Sequence, residues 1–121
     1  MRFRELDQHI SYRDQLGRDD GPIELINVFT MTPEDVDRFL DVWSDDAAYM
    51  KRQPGFIRTQ LHRGVGGSCA FINVATWESA AALRAAFTAP EFQQNTARYP
   101  DSVVACPHVV APVAVPGICV A

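Results

Sequence analysis

The sequence predicts an α+β fold with the ferredoxin-like order β-α-β-β-α-β, a four-stranded antiparallel sheet carrying both helices on one face. Three observations predict it. Residues 23–31, 56–63 and 69–77 are apolar or alternate with the period of two that strands need. Residues 33–51 and 80–89 repeat apolar side chains every three to four positions, as amphipathic helices do. Gly64-Val65-Gly66-Gly67 forms a tight turn between the second and third strands.

Taken in order, residues 1–22 are rich in charge and hold few apolar side chains (Phe3, Leu6, Ile10, Leu16), which predicts an arm outside the core with a short helix near 4–16. It ends at the turn signal Asp19-Asp20-Gly21-Pro22. The first strand places Leu25, Asn27, Phe29 and Met31 on one face. Thr32 is placed to cap the following helix, with Pro33 at its first position and Glu34 and Asp35 at its positive end. Val36, Phe39, Leu40, Trp43, Ala47 and Met50 form its apolar stripe, and Asp37, Asp41, Asp45 and Asp46 its solvated side.

Pro54-Gly55 stops that helix, and Phe56, Arg58, Gln60 and His62 share one face of the second strand. The third strand is apolar on both faces, so both sides of the sheet need cover, and a symmetric homodimer is the economical way to provide it. Ser79 caps the second helix, with Leu83, Ala86 and Phe87 inward. Pro90 interrupts it, and Glu91–Tyr99 adds a turn or two anchored by Phe92. A Val-rich fourth strand runs from 102 to about 115, broken by Pro107 and Pro112. The expected organisation is an arm (1–22), one domain (23–115) and a small apolar tail (116–121).

A net charge of −4, with 11 Lys and Arg scattered along the chain, argues against a nucleic-acid partner. No apolar run reaches the length of about 18 residues that a membrane span needs, and the polar N-terminus is no secretory signal. Cys69, Cys106 and Cys119 form no CxxC pair, and His9, His62 and His108 build no ligand pattern with them. Reduced thiols in a cytoplasmic protein and no metal site are the expectation.

Asn73 and Trp77, four residues apart on an apolar strand, point to the same face. A buried amide without partners costs about 1–3 kcal/mol, so either the fold satisfies these groups internally or they line a pocket. Asn27 is a second amide in apolar company. His62 is the strand histidine nearest this stretch. A four-residue hairpin loop would pair it with Cys69 and put it on the face of Asn73, whereas a five-residue loop would put it on the other.

The run Gly55-Phe56-Ile57 through His62, the helix-ending Pro54-Gly55-Phe56 and above all Asn73-Val74-Ala75-Thr76-Trp77-Glu78-Ser79 resemble the antibiotic biosynthesis monooxygenase superfamily over about residues 23–115. The resemblance implies a dimeric α+β barrel. Within the superfamily the chain is most similar to the small quinone-forming enzymes of aromatic polyketide pathways, which oxidise phenols or anthrones with O2 and need no cofactor. It implies Asn73, Trp77 and His62 as catalytic residues. Asn27, Trp43, Phe87 and Phe92 are the expected substrate-binding residues. The family's helical cavity tyrosine falls near Leu83, and its arginine has only Thr96 or Arg98 nearby. Haem-degrading members use a strand Asn, a Trp and a His on the second helix. Asn27 and Trp77 match that set, but residues 79–99 hold no His. Haem binding is therefore the alternative, followed by a non-catalytic ligand-binding member of the fold.

Overall fold

The computed structural model describes residues 1–18 and 21–121. Its elements are β1 (Arg2–Phe3), α1 (Tyr12–Gln15), β2 (Ile23–Thr30), α2 (Val36–Lys51, entered through a 3-10 turn at Pro33–Asp35), β3 (Phe56–Arg63), β4 (Ala70–Trp77), α3 (Ala80–Thr88), α4 (Pro90–Thr96) and β5 (Val104–Val110). The expected β-α-β-β-α-β order is thus present as β2-α2-β3-β4-α3-β5, with α4 following α3. One short strand is added to the sheet, whose order is β1-β5-β2-β4-β3. β1 lies parallel to β5 and every other pair is antiparallel.

Asp19 and Asp20 of the expected turn fall outside the described residues. The rest of the N-terminal segment corrects the reading of an arm outside the core. Tyr12 and Leu16 are buried in the same cluster as Leu25, Trp77 and Leu83. Gln15 secures the segment by acting as a one-residue strand against β5. Its Oε1 accepts from the Val109 N–H at 2.8 Å, and its Nε2 donates to the Val109 carbonyl at 2.9 Å. β5 has lost its strand partner at that point, because β1 reaches only Val104 and Ala105. The amide thereby satisfies two backbone groups on an open edge.

α2 buries Val36, Phe39, Val42 and Tyr49, and its Asp46 is buried as well. Thr32 does not cap the helix backbone. Its hydroxyl donates to Asp35 Oδ2, which also accepts from Ser102 Oγ, so the three side chains pin the helix start to the segment before β5. Phe39 packs between Phe29, Phe71 and Tyr99, with ring centroids 4.9–5.7 Å away.

β3 carries a bulge between Phe56 and Arg58. A bulge inserts one residue and resets the alternation of faces. Phe56 therefore shares the helix-covered face with Thr59 and Leu61, contrary to simple alternation, and meets Trp77 edge-on at 5.5 Å. Gly55, at φ +88°, makes the entry to β3 possible. A Cβ there would lie 2.4 Å from Ala82 Cβ, and its carbonyl accepts from the Glu78 N–H at 2.8 Å. Ser79 caps α3 as expected, its hydroxyl accepting from the Ala82 N–H.

β5 ends at Val110, short of the expected 115, and only an isolated bridge between Val115 and Cys119 follows. The sheet face turned away from the helices carries Ile26, Val28, Val74 and Cys106, with Ile57 and Ile72 exposed on it. No helix among the described residues is long and apolar enough to cross a membrane.

Candidate functional site

Between the sheet and its helices lies a cavity of about 80 Å³. Its floor is the helix-facing side of β2 and β4. Asn27 and Asn73 stand directly opposite each other across that pair, and both line the cavity. The alternation that buries Leu25, Phe29, Phe71, Ala75 and Trp77 on this face dictates both positions.

The two amides are held differently. Asn73 Oδ1 accepts from the Thr59 hydroxyl at 2.5 Å, across the β3–β4 pair. That bond directs the Asn73 carboxamide nitrogen, a donor, toward the remaining space. Asn27 Oδ1 is sealed from solvent and has no hydrogen-bond partner among the described residues. Side by side, the floor offers one donor and one unfilled acceptor in apolar surroundings.

Trp77 is buried to 1% exposure and braced by Phe56, so it forms cavity wall instead of standing free in the space. Trp43 and Met50 close the α2 side, Phe87 and Phe92 the side of α3 and α4, and Met1, Phe3 and Tyr12 the end under the N-terminal segment. Phe87 meets Tyr12 edge-on at 5.6 Å and packs at a tilt against Phe92 at 5.5 Å. The walls are thus largely aromatic, suited to a flat ring system.

Six of the seven expected site residues therefore come together: Asn27, Asn73, Trp77, Trp43, Phe87 and Phe92. His62 does not. It pairs with Ile72, and Arg63 pairs with Phe71, so seven residues (64–70) separate the last paired positions, an odd number like the five-residue alternative. Parity then puts His62 on the exposed outer face, and it lines none of the cavity. The expectation that it serves as base or proton donor there is corrected accordingly.

Four polar wall residues were missed: Tyr12, Thr59, Asp46 and Tyr99. Asp46 had a signal. It stands three residues after Trp43 and four before Met50, on the stripe that faces inward. Its Oδ2 accepts from the Tyr99 hydroxyl at 2.5 Å, and its Oδ1 accepts from Asn95 Nδ2. Burial pushes the Asp46 carboxyl above the ordinary carboxylate value, opposed by those two hydrogen bonds. Burial likewise raises Tyr99, helped by the neighbouring Asp46 charge, and raises Tyr12. Leu83 occupies the place expected of a helical tyrosine, and the cavity takes its phenols from Tyr12 and Tyr99 instead. Of the two candidates for the family arginine, Thr96 lines the cavity, while Arg98 pairs with Asp45 at 2.8 Å on the exposed side.

Residues 22–98 match the antibiotic biosynthesis monooxygenase family. The chain is 33% identical over 76 residues to deoxynogalonate monooxygenase of Streptomyces nogalater, covering 63% of this chain and 64% of that protein. The chain thus spans slightly less than two thirds of the curated relative it matches. Among solved structures it resembles SnoaB, a cofactor-independent oxygenase from Streptomyces nogalater, with a TM-score of 0.68 at 24% identity, over 80% of this chain and 98% of that one. It also resembles Rv0793 from Mycobacterium tuberculosis, with a TM-score of 0.68 at 15% identity, over 79% of this chain and 99% of that one. The ferredoxin-like sheet, the paired strand amides with their tryptophan, and a match over residues 22–98 lead to one assignment: the chain belongs to the antibiotic biosynthesis monooxygenase family.

Proposed function

We propose that this protein is a cofactor-independent monooxygenase that oxidises a phenolic or anthrone-type polycyclic aromatic polyketide to a quinone with O2. The observation that carries the reading is the Asn27–Asn73 pair on the floor of an aromatic-walled cavity, with the Asn27 oxygen buried and unpartnered. A buried acceptor left open costs free energy unless a ligand fills it. A substrate hydroxyl donates to Asn27 Oδ1, and the Asn73 carboxamide donates to the oxygen on which negative charge develops.

Direct reaction of O2 with a closed-shell organic molecule is spin-restricted. An electron-rich phenolate or anthrone carbanion overcomes this by passing one electron to O2 and recombining with the superoxide formed, so the substrate supplies the electrons a cofactor otherwise would. The protein's part is to hold the flat ring system, favour its deprotonated form and keep water out. The family and the deoxynogalonate monooxygenase relative support this reading.

The working form is a homodimer joined through the outer sheet face, where Ile57 and Ile72 stand exposed beside Ile26, Val28 and Val74. Three free cysteines fit a reducing, cytoplasmic setting.

The deciding experiment is oxygen uptake by metal-free, flavin-free protein supplied with an anthrone or a naphthacenone. Turnover that is lost in Asn73→Ala, with dimer mass unchanged by light scattering, is expected. Absence of turnover with every such compound, or turnover only after flavin is added, overturns the reading. A Soret shift on titration with haemin points to the haem-binding alternative.

A further inference from the structure

We propose that Asp46 is the proton acceptor of this site, a catalytic residue, and that Tyr99 and Asn95 are positioning residues that hold its carboxylate toward the substrate. The proposal rests on the monooxygenase reading above and names the base that reading leaves open once His62 is placed on the far face of the sheet.

Asp46 is the one buried charged side chain among the described residues, at 6% exposure. It lines the same cavity as Asn27 and Asn73. No cation among the described residues bonds to it: the nearby Arg98 pairs with Asp45 instead, at 2.8 Å. Its partners are two neutral donors, the Tyr99 hydroxyl on Oδ2 and Asn95 Nδ2 on Oδ1. A purely structural buried carboxylate is normally matched by a positive charge, because desolvation is otherwise uncompensated. Here the fold instead fixes the plane of the group from two sides and leaves each oxygen a further lone pair. Tyr99 and Asn95 are themselves anchored, Tyr99 by stacking near Phe29 and Phe39, Asn95 by a second bond to the Val42 carbonyl.

The groups facing Asp46 are Tyr99, Asn95, Arg98 and its own neighbour Asp45. Burial, the largest influence, and the Asp45 charge raise its affinity for a proton, while the Asn95 and Tyr99 hydrogen bonds and Arg98 lower it. The balance is a carboxylate more basic than one in water, the direction that favours proton abstraction.

The step balances with O2 as the sole co-reactant. A substrate C–H (anthrone) or O–H (phenol) bond breaks. Its proton goes to Asp46, and the electron pair stays on the ring system as the carbanion or phenolate. One electron passes to O2, and the radical pair combines to a C–O bond. Asp46 returns its proton to the peroxide formed, then removes the second ring-carbon hydrogen as the O–O bond breaks. The departing hydroxide takes that proton. The sum is a CH2 and O2 converted to C=O and H2O, with Asp46 restored to its starting state.

The test compares wild type, Asp46→Asn and Tyr99→Phe by oxygen uptake on an anthrone, with kcat and KM measured from about pH 5 to 9 and far-UV circular dichroism as the check on folding. A general base contributes about 10²–10⁴-fold. Asp46→Asn is therefore expected to lower kcat at least about 100-fold with KM changed less than about threefold. Tyr99→Phe removes a bond that favours the carboxylate, so the acid limb of its kcat profile shifts to higher pH, which a merely structural tyrosine does not cause. Asp46→Asn turning over within about threefold of wild type, or a Tyr99→Phe profile whose acid limb stays in place, overturns the proposal. If Asp46→Asn does not fold, the Tyr99→Phe profile alone decides. Loss of activity in Asn73→Ala alongside an active Asp46→Asn leaves the monooxygenase reading intact and removes only Asp46. A wild-type protein without turnover removes both.

Discussion

Thr59 donates its hydroxyl to the side-chain oxygen of Asn73 at 2.5 Å, from the neighbouring strand of the sheet. A hydrogen bond of this kind contributes about 1 kcal/mol net to stability. Its larger consequence is orientation, because it fixes which end of the amide meets a ligand. Thr59→Val keeps the shape and removes the donor. The variant is expected to fold with a melting temperature within a few degrees of wild type and to lose about tenfold in kcat on an anthrone, with Thr59→Ser restoring most of it.

Asn27 sits opposite Asn73 with its oxygen buried and unpartnered. Replacing an unsatisfied buried polar group with an apolar one of similar size removes a desolvation cost of about 1–3 kcal/mol. Asn27→Leu is therefore expected to match or exceed wild type in urea midpoint while losing substrate turnover. A variant that is both less stable and fully active shows that Asn27 is structural.

Asp46 makes stability depend on pH with a defined sign. Its folded-state pKa lies above the ordinary 3.8, with burial the main cause. The stability linked to this group is complete below that unfolded value and is lost as pH rises through the raised folded value. Asp46→Asn does not titrate. Its melting temperature relative to wild type is expected to improve as pH is raised from about 4 toward neutrality, then to level off. A difference that stays constant with pH contradicts the buried, proton-hungry carboxylate.

The N-terminal segment is structural and also closes the cavity. Tyr12 is 7% exposed and packs edge-on against Phe87. Large-to-small truncation of a buried aromatic costs about 3–5 kcal/mol. Tyr12→Ala is expected at the lower end of that range, because it opens onto the cavity, and to increase quenching of Trp43 fluorescence by acrylamide. Gln15→Ala exposes the Val109 edge and is expected to cost about 1–3 kcal/mol, with faster hydrogen exchange at the Val109 amide.

Gly55 combines a φ of +88° with an Ala82 Cβ only 2.4 Å from where its own Cβ would stand. Gly55→Ala is expected to lose about 1–3 kcal/mol from backbone strain alone, with more from the clash. Gly55→Ala combined with Ala82→Gly recovers the part due to the clash, measured by urea denaturation.

Much of this was readable from one sequence. Alternation along Ile23–Thr30 and Ala70–Trp77 assigned two interior strands and set Asn27, Asn73 and Trp77 on one face, because a strand's side chains have no other period. The Trp43 and Met50 spacing likewise turned one side of α2 inward.

Tertiary structure alone decided the rest, for a common physical reason: each depends on contacts between segments distant in the chain. The bulge after Phe56 and the Arg63–Phe71 register across the hairpin set the parity of β3, bringing Thr59 to Asn73 and sending His62 to the other face. Asp46 resembles its neighbours Asp41 and Asp45 in sequence, and only the approach of Asn95 and Tyr99, about fifty residues on, makes its burial tolerable. The charged first segment reads as solvated until Gln15 finds the open edge of β5 some ninety residues away. Period and composition place a residue on a face; which polar group meets which is settled by long-range pairing.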